Sequence, residues 1–324
     1  MKSSPNITGL SRLIRDQMVV LLLLFGVCNL AFSQSATVPD QVTFVVSRTS
    51  EAYSKVVAMT KAELSTGNYN FSTVRQDANN EIDKAIASAD IIVTVGAGAA
   101  AEIMGRNLKT RLITSLITDS AFTSLAKKYY GSTNAAFAAG VSVICLDQPV
   151  KRSIRLAKML IPEATDAGLM LGPSSYGKVE EFSSQINEAG MASTMVKFSA
   201  AENPILAIEP VLKKSDVFIP VPDSRLINIA TAKWILQLSY RYRVPVIAYS
   251  MAYLNGGALA AIYSSPENVG RQTADLIRRG KLFPNVGGRH IPAYFSIEFN
   301  SSVAAYLDVD LKPKQFYLDR LKAE

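Results

Sequence analysis

The chain has 324 residues, 48% of them hydrophobic, with a formal net charge of +7, one histidine and two cysteines. That is enough apolar chain to bury the cores of two ordinary domains, which excludes a disordered or fibrous class. The positive excess forms no cluster of Lys and Arg interleaved with aromatics, so no nucleic-acid partner is expected.

From the N-terminus, residues 1–33 read as a signal peptide. Lys2, Arg12 and Arg15 precede an apolar stretch over 18–32, and Ala31, Phe32 and Ser33 offer a cleavage site. The stretch is short for a membrane span and carries Gly26 and Asn29, so export to the periplasm with cleavage after Ser33 is predicted rather than a retained anchor. Val27 stands before Cys28 where lipid attachment favours a small residue. Removing the leader leaves Cys145 alone in the apolar "VSVICL", as a buried structural thiol with no disulfide partner.

Short apolar, β-branched runs then alternate with helix-length segments: "VTFVVS" at 42–47, "DIIVTVGA" at 90–97, "RLITSLIT" at 111–118, "VSVICL" at 141–146 and "DAGLMLG" at 166–172. "STMVKFS" at 193–199, "DVFIPVP" at 216–222, "PVIAYS" at 245–250, "ALAAIYS" at 258–264 and "YFSIEF" at 294–299 continue the series. Runs that are apolar throughout suit strands buried on both faces of a parallel sheet. Two intervening helices are explicit. Over 178–191, Val179, Phe182 and Ile186 share a face before Gly190, and over 223–244, Leu226, Ile227, Ile229, Trp234, Ile235 and Leu238 give a broad apolar face. So many strands predict an α/β class with two doubly wound, Rossmann-like domains.

In such sheets ligands sit beyond the carboxyl ends of the strands. The residues there are Ser47 and Thr49; Gly96, Ala97 and Gly98; Thr118 and Asp119; Ser174, Ser175 and Tyr176; Asp223 and Ser224; and Ser250 and Met251. Each one singly fits helix capping, since Ser, Thr and Asp are preferred N-caps. Together they suit a cleft for a small polar molecule, with Asp223 aimed at the ligand and Ser224 capping the helix that follows. They do not compose a catalytic set. His290 lies in the Gly-rich "PNVGGRHIP" and reads as a solvated loop residue, and no P-loop, Gly-x-Ser-x-Gly or paired-Cys spacing occurs. No metal, no cofactor and no enzymatic activity are expected, although Asp119 and Asp223 facing each other across a cleft would reopen that question.

The stretches "ADIIVTVGAGAAAEI", "AAFAAGVSVICLDQPVKRSIRLAKMLIPEATDAGLML" and "SDVFIPVPDSRLINIATAKWILQLSYRYRVPVIAYSMAYLNGGALAAIYSSPENVGRQTADLIRRGK" together resemble the ABC-transporter substrate-binding family that includes tryptophan- and tyrosine-type binding proteins. Where relatives often show Thr-Pro-Ala and Thr-Asp-Asn, this chain has Gly96-Ala97-Gly98 and Pro222-Asp223-Ser224. The resemblance implies a type 1 periplasmic binding protein with a three-crossing hinge between lobes 34–118 plus 256–287 and 119–255 plus 288–324. It implies a monomer that holds a small polar or amphipathic ligand between its lobes and delivers it to a membrane permease. A solitary sensing receptor, or an enzyme acting on a sugar or nucleotide, stays open as an alternative.

Overall fold

The computed structural model describes residues 38–106, 108, 110–199, 203–223, 229–282 and 287–323. The signal segment and Ser224 lie outside the described residues, and Asp40–Glu324 forms a single compact unit.

The first lobe is a βα alternation: β1 (Asp40–Val46), α1 (Glu51–Glu63), β2 (Tyr69–Arg75), α2 (Asn79–Ala87), β3 (Ile91–Val95), α3 (Ala97–Met104), β4 (Arg111–Ile117), α4 (Asp119–Tyr130), α5 (Thr133–Ala138) and β5 (Val141–Cys145). The chain continues through α6 (Val150–Leu160), β6 (Asp166–Leu171), a 3-10 turn at Tyr176–Lys178, α7 (Val179–Glu188), β7 (Ala192–Lys197), α8 (Pro204–Leu212) and β8 (Val217–Phe218). It ends with α9 (Ile229–Tyr242), β9 (Ile247–Ala248), α10 (Met251–Asn255), β10 (Ala260–Tyr263), α11 (Pro266–Leu282), β11 (Gly288–His290), β12 (Ser296–Phe299), α12 (Ser301–Tyr306) and α13 (Lys314–Lys322).

Six strands make the first sheet, in the order β11-β5-β4-β3-β1-β2, all parallel. In the second lobe β7-β6-β8 and β12-β10-β9 are joined by a parallel bridge from Phe218 to Val246, and only β12 runs antiparallel. Prolines explain the short β8 and β9: Pro220, Pro222 and Pro245 have no N–H to give to a ladder, so the apolar runs stay buried with few sheet bonds.

Both sheets are covered on both faces, which a parallel sheet requires. Along β1 the pleat sends Phe44 against Val56 of α1 and Val269 and Ile277 of α11, and sends Val45 to the opposite face with Ile82, Ile103 and Phe122. Along β6, Leu169 packs with Ile186, Ile219 and Tyr317, and Met170 with Phe218, Ile235 and Tyr253.

Sheet membership moves the expected lobe boundaries. β5 pairs with β4, so the chain leaves the first lobe after Cys145 rather than at Thr118, α4 and α5 being one more crossover of that sheet. β10 pairs with β9 and β12, which puts the return near 264–265 rather than at 255. β11 pairs with β5, so the last crossing is 291–295 rather than 287. Apolar composition reveals a strand but not its neighbours. β2 and β11 fall outside the predicted runs, β2 because this edge strand is only half covered.

The return into the first lobe depends on a close approach of α11 to α1. Thr60 Oγ donates to the Gly270 carbonyl at 3.0 Å, and a Cβ at Gly270 would lie 2.6 Å from the Val56 carbonyl oxygen and 2.7 Å from Met59 Cβ. Ala favours a helix interior over Gly by about 1 kcal/mol, whereas overpacking commonly costs about 1–3 kcal/mol. The contact is with backbone, which cannot swing aside, so the second effect wins. Gly270→Ala is therefore expected to lower the midpoint of chemical unfolding despite its better helix propensity; a raised midpoint would show that the two helices separate freely.

Candidate functional site: the cleft between the lobes

In both lobes the parallel strands end at the gap between them. On the first lobe, Ser47 is held: its hydroxyl donates to the Val95 carbonyl at 3.1 Å and accepts the Ala99 N–H at 2.8 Å. Gly96 turns into α3 at φ +94°, and a Cβ there would sit 2.6 Å from Ser47 Oγ and 2.8 Å from the Tyr53 hydroxyl. Gly98 likewise lies against Gln76, whose Oε1 would be 2.4 Å from a Cβ. Ser47, Gly96, Ala97 and Gly98 thus make one turn, with the hydroxyl serving as a cap. Thr49 is exposed beside Ser50, the N-cap of α1, and Thr118 caps α4 by accepting the Ala121 N–H at 3.3 Å.

Asp119 stands at the centre of a charged network. Its N–H donates to Asp147 Oδ2 at 2.6 Å, its Oδ1 is ion-paired with Arg289 of β11, and the Cys145 thiol approaches the same oxygen at 3.6 Å. Burial raises the Asp147 carboxyl above its usual range, an effect opposed by its own backbone N–H and by Lys178 across the cleft. Burial also lowers the Arg289 guanidinium and pushes the Cys145 thiol up to about 12. That thiol is no nucleophile near neutral pH, because thiolate character is what makes cysteine reactive.

On the second lobe the residues expected to face the ligand largely hold each other. Asp223 is 2% exposed, and its Oδ2 accepts the Ser174 N–H at 2.9 Å and the Ser175 hydroxyl at 3.0 Å. The aspartate projects inward and ties the loop after β8 to the loop after β6, instead of standing at the cleft edge. The Tyr176 hydroxyl donates to the Phe198 carbonyl at 2.8 Å, anchoring that loop to the end of β7. Ser250 starts α10 without a side-chain cap, and Met251 packs with the core between α9 and α10.

A cavity of about 580 Å³ remains between the lobes. Asp119, Asp147, Gln148 and Arg289 line it on one side, and Ser174, Ser175, Lys178 and Pro222 on the other. Of the expected contacts, the structure brings Asp119, Ser174 and Ser175 together here. Ser47, Thr49, Gly96, Ala97, Gly98, Thr118, Tyr176, Asp223, Ser250 and Met251 are not among its lining residues. Asp147, Gln148, Lys178 and Arg289 are additions. Asp147 carried a signal in the sequence, an acid closing the apolar run "VSVICLD", but Arg289 sits on a three-residue strand in a Gly-rich stretch and gave none. A larger groove of about 950 Å³ runs between α9 and α10, but every residue lining it belongs to the second lobe, so lobe closure cannot act on it.

Among the described residues, no group of three His, Cys, Asp or Glu could hold a metal ion. Asp119 and Asp223 do not form a carboxylate pair across the cleft, since each is bonded within its own network. His290 is not a solvated loop residue: it lies in β11 with a buried Nε2, and burial, Arg279 and Arg111 disfavour its protonation.

The family of ABC transporter substrate binding proteins matches this chain over residues 57–281. The chain belongs to that family. It is a solute-binding protein with the type 1 periplasmic binding fold, and the family is one of binding proteins rather than enzymes. A substrate-binding protein with adhesive properties from Clostridium difficile, in its ligand-free, open form, shares the fold at a TM-score of 0.64 and 15% identity, over 85% of this chain and 96% of that one. A Streptococcus pneumonia ABC domain in complex with L-Trp is similar at a TM-score of 0.54 and 15% identity, over 87% and 98% of the two chains. A conserved domain protein from Vibrio cholerae is similar at 0.54 and 16%, over 87% and 98%. No curated protein matches the chain in sequence.

Removing this buried acceptor takes the Ser174 N–H's partner away while the Ser175 hydroxyl can still turn to the Gly172 carbonyl at 3.1 Å, and an unsatisfied buried group costs about 1–3 kcal/mol. Asp223→Ala is therefore expected to lower the stability of the ligand-free solute-binding protein by roughly that amount, read by urea unfolding. An unchanged midpoint would return Asp223 to the role of a ligand contact.

Proposed function

We propose that this protein is exported to the periplasm, cleaved after Ser33, and works there as a monomer. It binds a small polar or amphipathic molecule in the cavity between its lobes and delivers it to the membrane permease of an ABC transporter. Binding proceeds by hinge closure, with the solute favouring the closed arrangement because only there do both walls touch it. The observation that carries this reading is a cavity whose walls come from both lobes, with Asp147 and Arg289 facing Lys178 and Ser174. No helix among the described residues is long and apolar enough to cross a membrane.

The cleft contacts are Asp119, Asp147 and Arg289 on one wall and Ser174, Ser175 and Lys178 on the other. Asp119 acts mainly by holding Arg289, whose remaining N–H groups face the cavity. The relative bound to L-Trp makes amino acids a first class to try, and the cavity's hydroxyls, acids and cations extend the search to other small zwitterions, sugars and organic acids.

A thermal-shift screen of these classes tests the reading. A compound at about 100 times its Kd should add roughly 2.7 kcal/mol to stability. Lys178 is exposed and engaged by no ion pair among the described residues, so Lys178→Met should leave the empty protein's melting unchanged while weakening the shift. Shifts of full size in both Lys178→Met and Asp147→Asn would place the binding site elsewhere.

A further inference from the structure

The three crossings between the lobes are joined to one another by side chains. Gln148, in the first crossing and 6% exposed, donates through Nε2 to the Ser264 hydroxyl at 2.8 Å, and Ser264 lies in the second crossing. Ser264 in turn donates to the Tyr294 carbonyl, in the third crossing, at 3.2 Å. The other end of the Gln148 amide accepts from Arg152 Nη1 at 2.8 Å, and the same nitrogen donates to the Pro292 carbonyl at 2.7 Å. The Arg152 guanidinium lies 4.3 Å from the Phe295 ring centroid. Among the described residues no carboxylate bonds to it, so this arginine is engaged by carbonyl oxygens and a ring. From the first lobe, Gln272 of α11 grips the third crossing at two points, donating to the Ile291 carbonyl at 2.7 Å and accepting the Ala293 N–H at 2.9 Å.

We propose that Gln148, Arg152 and Ser264 form a clasp that fixes the resting angle between the lobes, so that groups the solute does not touch set how readily the cleft closes. Hinge rotation is absorbed by φ and ψ changes in the connecting segments. Here those segments cannot turn independently, because each carries a donor or acceptor that another one needs. Gln148 borders the solute cavity, yet both ends of its amide are engaged by Ser264 and Arg152, so it is a positioning residue rather than a contact. The Ser264 hydroxyl is the link with the least freedom: its single proton goes to Tyr294 while its oxygen accepts from Gln148. Removing it deletes the side-chain bonds from the second crossing to both of the others at once. The apparent affinity of a closing protein falls with the fraction of molecules able to close, so the resting angle enters every binding constant.

This inference rests on the reading that solute binding closes the lobes, and its test is made on ligand-free protein so that the two stand or fall separately. Spin labels are placed on the exposed positions Lys127→Cys of α4 and Glu180→Cys of α7, in a chain carrying Cys28→Ser, where buried Cys145 with its high pKa resists labelling. Electron–electron distance measurement then reads the interval across the cleft. Ser264→Ala and Arg152→Met should move or broaden that interval by about 2 Å or more, the scale of a domain rearrangement. Ser264→Thr, which keeps the hydroxyl, should retain the parent distribution. A parent-like interval in Ser264→Ala overturns the proposal, and so does an equal shift in Ser264→Thr, which would assign the effect to volume instead of the hydrogen bond. If Arg152→Met fails to fold, the serine pair decides alone.

Discussion

Parallel strands must all end at the same edge of their sheet, and most of this protein's behaviour descends from that constraint. With no hairpins available, β1 to β5 follow one another through crossover helices, and the loops at their carboxyl ends collect on one side. The second lobe presents its own collection of strand ends to the same gap, from the Gly172–Tyr176 loop after β6 to Asp223 after β8. The cleft is therefore built by topology, and its polarity follows from what helix starts require. Hydroxyls and acids gather there because they cap helices, and the solute meets those that capping leaves over.

The division between held and available groups decides the chemistry. Ser47, Thr118 and Asp223 are occupied by backbone donors or neighbouring hydroxyls and so hold the walls of the cleft. Asp147, Arg289 and Lys178 carry the charge that faces the cavity. Burial raises the Asp147 carboxyl, and Lys178 across the cleft opposes that shift. In the proposed mode of binding, a solute that brings donors to that carboxylate would compensate for its burial when the lobes approach, linking recognition to closure.

Much of the architecture was legible in the sequence. Ile91–Val95 and Val141–Cys145 are buried at every position, and unbroken apolar runs of that kind announce strands covered on both faces. β2, a half-exposed edge strand, lacks that signature, and β11 is too short to have one. The lobe boundaries were not legible, since a strand's composition does not name its neighbour, and β5 could as well have joined either sheet. The same limit governs the site. A strand-end hydroxyl looks identical in sequence whether it caps a helix or lines the cavity, as Ser47 and Ser174 illustrate. Arg289 reaches Asp119 only because β11 lies beside β5, a pairing of residues 170 positions apart in the chain that no local spacing encodes.

In the proposed mechanism a solute is enclosed by two lobes that move towards each other. Small-angle X-ray scattering tests it directly, comparing the ligand-free protein with the protein saturated by a compound that raises its melting temperature. Closure gives a smaller radius of gyration and a shorter maximum dimension in the saturated sample. An unchanged scattering curve at full occupancy would contradict it, and would move the binding site to a cavity that exists before the solute arrives.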